Sequence, residues 1–321
     1  MTRTRLATIA VTAALLLGAA GCSGDSSPRY DEAIAAPTAG QPGAGRSPAP
    51  APTPANCDPR ASRRPDGALP APGQMPAGTL MAEIRKRGRL ILGTSQDTLL
   101  FSSRNPFTGR IEGFDVDMAR LVAQAIFGDP NKLEIKVIAY DQRVNEVLLG
   151  KVDLVADTMT ATCDRWKDVD FSVIYYEAGQ KVLVRKDSTA KSIEDLGKKK
   201  ICSAAGSTSY DNIGKVKSEP VAVAKPTFGD CLVAFQQNEV DAISTDDTIL
   251  AGMAAQDPYA MVIGDRFTQE PYGMAINRNH PEFTRFVNAV LVKAAQDGTW
   301  TKTYERWLGG TAPKPPVAQY Q

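Results

Sequence analysis

The chain has 321 residues, and 37 Lys+Arg against 36 Asp+Glu leave a net charge of +1. That balance gives no electrostatic reason to expect nucleic acid, which favours a strongly basic face. Hydrophobic residues make up 43% of the chain, an ordinary globular share, and the length allows a sizeable core in one or two domains.

The N-terminus stands apart from that core. "MTRTRLATIAVTAALLLGAAGC" has Arg3 and Arg5, an apolar run from Leu6 to Leu17, and small residues up to Cys22. This predicts a secretory signal over residues 1–21, since the run is shorter than the roughly 20 apolar residues a membrane span needs. The end "AAGC" resembles a bacterial lipobox, although Ala19 stands where leucine is usual. The resemblance implies a lipid on Cys22 and anchoring to the outer face of the cell membrane. Residues 22–77 are rich in Pro, Ala, Gly and Ser. Such a segment buries too little apolar surface to offset its ordering entropy and is expected to act as a Pro-stiffened tether.

Four cysteines remain after Cys22, and an exported chain favours disulfides. Cys202 falls on a predicted strand and Cys231 opens a predicted helix that would pack on the same sheet. The expected pair is Cys202–Cys231, which leaves Cys57 with Cys163. A metal site lacks CxxC spacing, and the single histidine, His280, precedes Pro281 at a helix start.

From Gly78 onward, helical and strand patterns alternate. "LMAEIRKRG" reads as a helix stopped at Gly88, and "RLILGTS" as a buried strand with a polar end. "GFDVDMARLVAQAIFG" spaces Met118, Leu121, Val122, Ala125 and Ile126 as a helix, with Asp115 expected as its N-cap and Gly128 as its stop. "LEIKVIAY" is a strand, and "QRVNEVLLGKVDLVADT" is helix, stop, strand. Later, "KVLVRKD", "KKICSAAGSTS" and "FGDCLVAFQQNEVDAISTDD" repeat the scheme. "LLGKVDLVADT" and "QQNEVDAISTDD" share a helix end, Val-Asp, an apolar pair, and a polar strand end. Strands separated by helices predict an α/β fold, here in two facing units. The last helices carry Phe283, Phe286, Val287, Val290, Leu291 and Ala294, then Trp300, Tyr304, Trp307 and Leu308 as a core stripe.

"GFDVDMARLVAQAIF", "GKVDLVADTMTATCDRWKDVDFS", "AAGSTSYDNI", "VDAISTDDTILAG", "PYGMAI" and "DGTWTKTYERWLGG" resemble, in order and spacing, the amino-acid-binding proteins of ABC importers. With the lipobox and proline tether, the chain is similar to actinobacterial glutamate/aspartate/glutamine-type binding lipoproteins. The resemblance implies a periplasmic-binding-protein-like α/β fold, with two lobes joined by two crossover strands. Lobe 1 would take residues 78–176 and 273–310, lobe 2 residues 177–272, and 311–321 would be a tail. It implies no cofactor, no metal and no catalytic residue. The expected state is a monomer that closes over a polar amino acid and meets an importer's permease.

Site residues follow position by position. Arg165 would hold the ligand carboxylate, which suits a guanidinium fork. Thr160 and the backbone beside Thr158 would position carboxylate and ammonium. Ser207 and Thr208 open a predicted helix whose N–H groups would face the carboxylate. Asp247 matches the ammonium-binding carboxylate, with Asp246 as its neighbour. Phe101 resembles the aromatic that covers the ligand's stem. Ser95 stands where some relatives carry an arginine or an aspartate, which leaves the acid-or-amide choice open. Two other roles use the same cleft. A membrane sensor protein could be the partner instead of a permease. A dehydratase would need a carboxylic acid of raised pKa in the cleft, for which Glu177 is the candidate.

Overall fold

The computed structural model describes residues 57–321; the signal segment and Cys22 lie outside the described residues. Two five-stranded sheets built on one plan organise the chain. The first runs Leu133–Val137, Leu90–Thr94, Leu154–Val155, Ala275–Asn277, Val169–Phe171 in space. Its first three strands are parallel and Ala275–Asn277 is antiparallel to both neighbours. The second runs Val221–Lys225, Lys200–Ala204, Ala242–Asp246, Gln180–Arg185, Ala260–Ile263. Again three strands are parallel and the fourth, Gln180–Arg185, is antiparallel to both neighbours. Two strands, Tyr176–Ala178 and Glu270–Tyr272, pair antiparallel and carry the chain from one sheet to the other and back. The fold is a two-lobed α/β architecture with two crossovers.

The repeated Val-Asp step has the same geometry in both lobes. Asp153 accepts the N–H of Ile91 at 2.7 Å, and Asp241 accepts that of Lys200 at 2.8 Å. Each carboxylate pins the start of the neighbouring parallel strand. The following strands, Leu154–Val155 and Ala242–Asp246, therefore sit at the centre of their sheets and end at the space between the lobes.

Helix Phe114–Phe127 buries Phe114, Met118, Val122 and Ile126 against the first sheet and the helices Pro281–Gln296 and Thr299–Leu308. Full burial of each such side chain contributes roughly 1.5–3 kcal/mol. The helix begins two residues earlier than the sequence suggests. Its N-cap is Gly113, at φ 146°, where an added Cβ would sit 2.1 Å from the carbonyl oxygen of Phe101. Asp115 is thereby the second helical residue. Its carboxylate turns inward, accepting from the Thr158 N–H at 2.7 Å and the Tyr175 hydroxyl at 2.7 Å.

Both ends of the described chain are more ordered than a tether and tail would be. Ala61–Ser62 pairs in parallel with Gln319–Tyr320, and Arg63 forms an ion pair with the buried Asp170. The Ser62 hydroxyl donates to the carbonyl of Phe171 at 2.6 Å. Composition hid these contacts because polar side chains and a disulfide, not an apolar run, fix residues 57–64. The disulfides join Cys57 to Cys163 and Cys202 to Cys231, with Cα–Cα separations of 6.0 and 5.6 Å.

Candidate functional site

The short turn Arg165–Lys167 follows the hydroxyl-rich loop past strand Leu154–Val155. Its first residue is held by Thr162, whose hydroxyl accepts the Arg165 N–H at 3.2 Å. The guanidinium donates to the carbonyl of Thr160 at 2.7 Å and, across the cleft, to that of Gly206 at 3.0 Å. Gly206 is at φ 72°, and a Cβ there would lie 2.7 Å from the Cα of Asp141, so the lobes approach closely at a point where only glycine fits.

Thr160 lies beside the second crossover: Ala161 N–H donates to Pro271 and Gly273 N–H to Met159, at 2.8 and 3.1 Å. Its hydroxyl donates to Glu270 at 2.7 Å, and Thr208 in the opposite lobe donates to the same carboxylate oxygen at 2.8 Å. Asn212 reaches the other oxygen at 3.2 Å. Glu270, 2% exposed, therefore ties both lobes to the crossover. Ser207 caps helix Thr208–Ile213 through the Tyr210 N–H at 3.1 Å. Thr158 sits at φ 43°, and its buried hydroxyl has no partner. Thr160, Arg165, Gly206, Thr208, Asn212 and Glu270 line a cavity of about 570 Å³, within the range of small-molecule sites.

Charge in the closed cleft is concentrated and buried. Asp246 is 3% exposed and accepts from the Tyr272 hydroxyl at 2.5 Å. Burial, then the nearby Glu270, push its carboxyl up to about 8. Asp157 accepts the Ser95 N–H at 2.9 Å while its second oxygen is unpartnered. Burial raises it to about 6 against the pull of Arg143. Arg143 donates to the carbonyls of Tyr140, Asp157 and Gly206 at 2.9, 3.0 and 3.3 Å. Burial and then Arg143 lower Arg165 to about 9, which leaves it charged at neutral pH. Two guanidinium groups that act on one another and on carboxylates held above their usual range suit a zwitterion that supplies opposite charges to both.

Two expected residues are elsewhere. Asp247 does not face the cleft: Arg266 engages its carboxylate at 2.6 Å, and the Gly179 N–H reaches it at 3.3 Å. The helix begins at Asp247, so adjacent acids diverge, and Asp246 is the inward one. Phe101 is fully buried in the lobe 1 core, edge-on to Phe114, Tyr176 and Tyr272. Glu177, on the first crossover strand, pairs with Arg60 and is not among the residues lining the cavity. Ser95 does face inward, within a row of hydroxyls: Ser102, Ser95, Thr98 and Tyr140 are linked at 2.7, 3.0 and 2.6 Å. Sequence reading missed Tyr140, Arg143, Asp157 and Glu270. Asp157 lies at the strand end "VAD", Glu270 lies in the crossover "QEPYG", and Tyr140 and Arg143 sit in the stretch "AYDQR" between strand and helix, but nothing in their own spacing marks them.

With this geometry in hand, comparison with known proteins is decisive. Residues 90–310 match the bacterial extracellular solute-binding proteins, family 3. The chain belongs to this family. The glutamine-binding protein of Geobacillus stearothermophilus is 42% identical over 200 residues, covering 62% of this chain and 76% of that one. The ABC transporter glutamine-binding protein GlnH of Bacillus subtilis is 37% identical over 229 residues, covering 71% and 84%. Among solved structures, the ancestral amino acid-binding protein AncCDT-1, a precursor of cyclohexadienyl dehydratase, has a TM-score of 0.65 at 33% identity, covering 71% and 99%. The resemblance to ABC-importer amino-acid-binding proteins therefore holds for this solute-binding protein. Among the described residues, no helix is long and apolar enough to cross a membrane.

Proposed function

We propose that this solute-binding protein captures a polar amino acid, glutamine foremost, between its lobes and delivers it to the permease of an ABC importer. The observation that carries this reading is Arg165 reaching across the cleft, within range of the charge of the buried Asp246. Arg165 takes the ligand carboxylate, with the hydroxyls of Thr160 and Thr208 and the helix opening at Ser207 beside it. Asp246 takes the ammonium, a role reassigned from Asp247. Thr158 adds a buried hydroxyl without a partner.

Support for an amide side chain comes from the row of hydroxyls around Ser95, with which an amide exchanges hydrogen bonds as donor and acceptor. The two glutamine-binding relatives point the same way. Lipid attachment at Cys22 holds the protein at the outer face of the membrane. Deleting the gene is expected to lower uptake of labelled glutamine, and Cys22→Ser to move the protein from the membrane to the soluble or unprocessed fraction. Unchanged uptake, with glutamine binding intact, overturns delivery to an importer and leaves a membrane sensor as the partner. Unchanged fractionation overturns the anchor.

A second reading has one observation behind it. Asp246, held up to about 8, is the cleft acid that a dehydratase would need, and the AncCDT-1 likeness belongs to a precursor of such an enzyme. Turnover of a prephenate-like acid by the purified chain distinguishes it from simple binding.

A further inference from the structure

The segment Cys57–Arg60 lies across the outside of the cleft mouth, and Pro59 and Arg60 are part of the cavity wall. It holds the turn of Arg165 on both sides. Two residues before Arg165, Cys163 is bonded to Cys57. One residue after it, the Trp166 indole N–H donates to the carbonyl of Pro59 at 3.1 Å. The same segment reaches the crossovers: Arg60 pairs with Glu177 on the first and donates to Gln269, next to the second, at 3.2 Å. Behind it the chain is fixed to lobe 1, where Asn288 donates to the Ser62 hydroxyl at 2.8 Å and to the carbonyl of Arg63 at 2.7 Å.

We propose that Cys57–Arg60 is a strap whose disulfide and Pro59 contact position Arg165 for the ligand carboxylate, so that an intact Cys57–Cys163 bond sets the protein's affinity. The inference rests on Arg165 being the carboxylate partner. The three-residue turn has no fully buried side chain; besides the strap it is held by the Thr162 hydroxyl, by the Arg165 guanidinium on the Thr160 and Gly206 carbonyls, and by Trp166 against Phe171. Without the strap, ligand binding must order the Arg165 turn as well as close the lobes. Ordering a rotamer-rich side chain and its loop costs affinity.

The test uses L-glutamine as probe with the full mature chain. Cys57→Ser/Cys163→Ser is expected to bind it about tenfold more weakly, the size of ordering one long side chain on binding. Trp166→Phe, which keeps the edge contact to Phe171 but loses the N–H, is expected to bind about threefold more weakly by the same argument. Cys202→Ser/Cys231→Ser, breaking the lobe 2 disulfide, should leave glutamine affinity of the folded protein within about threefold. In an Arg165→Lys background, breaking the strap should have almost no further effect, because strap and guanidinium act as one unit. Hydrogen exchange at residues 163–167 should quicken in both strap variants. If the cysteine pair fails to fold, Trp166→Phe carries the test by itself. Parent-like affinity, effects that add to those of Arg165→Lys, or unchanged exchange at 163–167 overturn the strap. A parent protein that binds no amino acid overturns the functional reading instead.

Discussion

Arg165→Ala is expected to weaken glutamine binding by roughly 30-fold to several thousand-fold. Truncating one member of a buried, hydrogen-bonded charge pair typically costs about 2–5 kcal/mol, and each 1.4 kcal/mol is about a factor of ten. The guanidinium already spans the cleft between the carbonyls of Thr160 and Gly206, so a ligand carboxylate meets a fork that is held in place. Lysine should recover only part of the loss, because a point charge cannot reproduce two parallel donors. The ligand-free protein should melt near the parent, since the side chain's partners are loop carbonyls and not core groups. Calorimetric affinity and the melting temperature of both variants check this. Affinity of Arg165→Ala within threefold of the parent would contradict the assignment, since a surface ion pair contributes only about 0–1 kcal/mol.

The second large effect lies at Asp246. Its carboxyl is raised from 3.8 to about 8 by burial and by Glu270, so the folded, ligand-free protein holds a proton that the unfolded chain releases. The stability this proton gives is fully present below about pH 4 and is lost as the pH rises through about 8. Binding runs the other way. An ammonium needs the carboxylate, so glutamine must expel the proton, and affinity should rise between pH 6 and 8 by up to about tenfold per unit before levelling off. Asp157, at about 6, and Asp115, at about 7, titrate in the same window. The comparison with Asp246→Asn isolates the one group. That variant should lose roughly 30-fold or more in affinity, and its pH profile should flatten. A parent profile flat from pH 6 to 8, or an asparagine variant with parental affinity, would remove Asp246 from the site.

How much of this was legible in the sequence depended on whether a signal was local. Helix and strand periodicity gave the two α/β lobes, and the paired "VDLVADT" and "VDAISTDD" motifs marked strands that end at the cleft. Arg165, Thr160 and Thr208 were singled out by the resemblance of their motifs, and the structure brings the three together around one cavity. Asp246 and Asp247 could not be told apart, since one residue of helical rotation decides which carboxylate faces inward. Phe101 was misplaced because an aromatic near a strand end suits a ligand cover as well as a core. Asp115, Arg143 and Glu270 owe their roles to partners 43, 63 and 110 residues away. No spacing rule reaches that far. The order in residues 57–64 was hidden for a related reason: a disulfide 106 residues long and a strand pair with the C-terminus hold a segment whose composition reads as linker.

The central claim is that the space between the lobes is an amino-acid site built on Arg165 and Asp246. Calorimetric titration of the mature chain with each of the twenty amino acids at pH 8 tests it most directly. The account predicts saturable binding of glutamine at one site per chain, tighter than that of glutamate, and lost in Arg165→Ala. Saturation by leucine or a basic amino acid, with no heat from glutamine, glutamate, asparagine or aspartate, would contradict it.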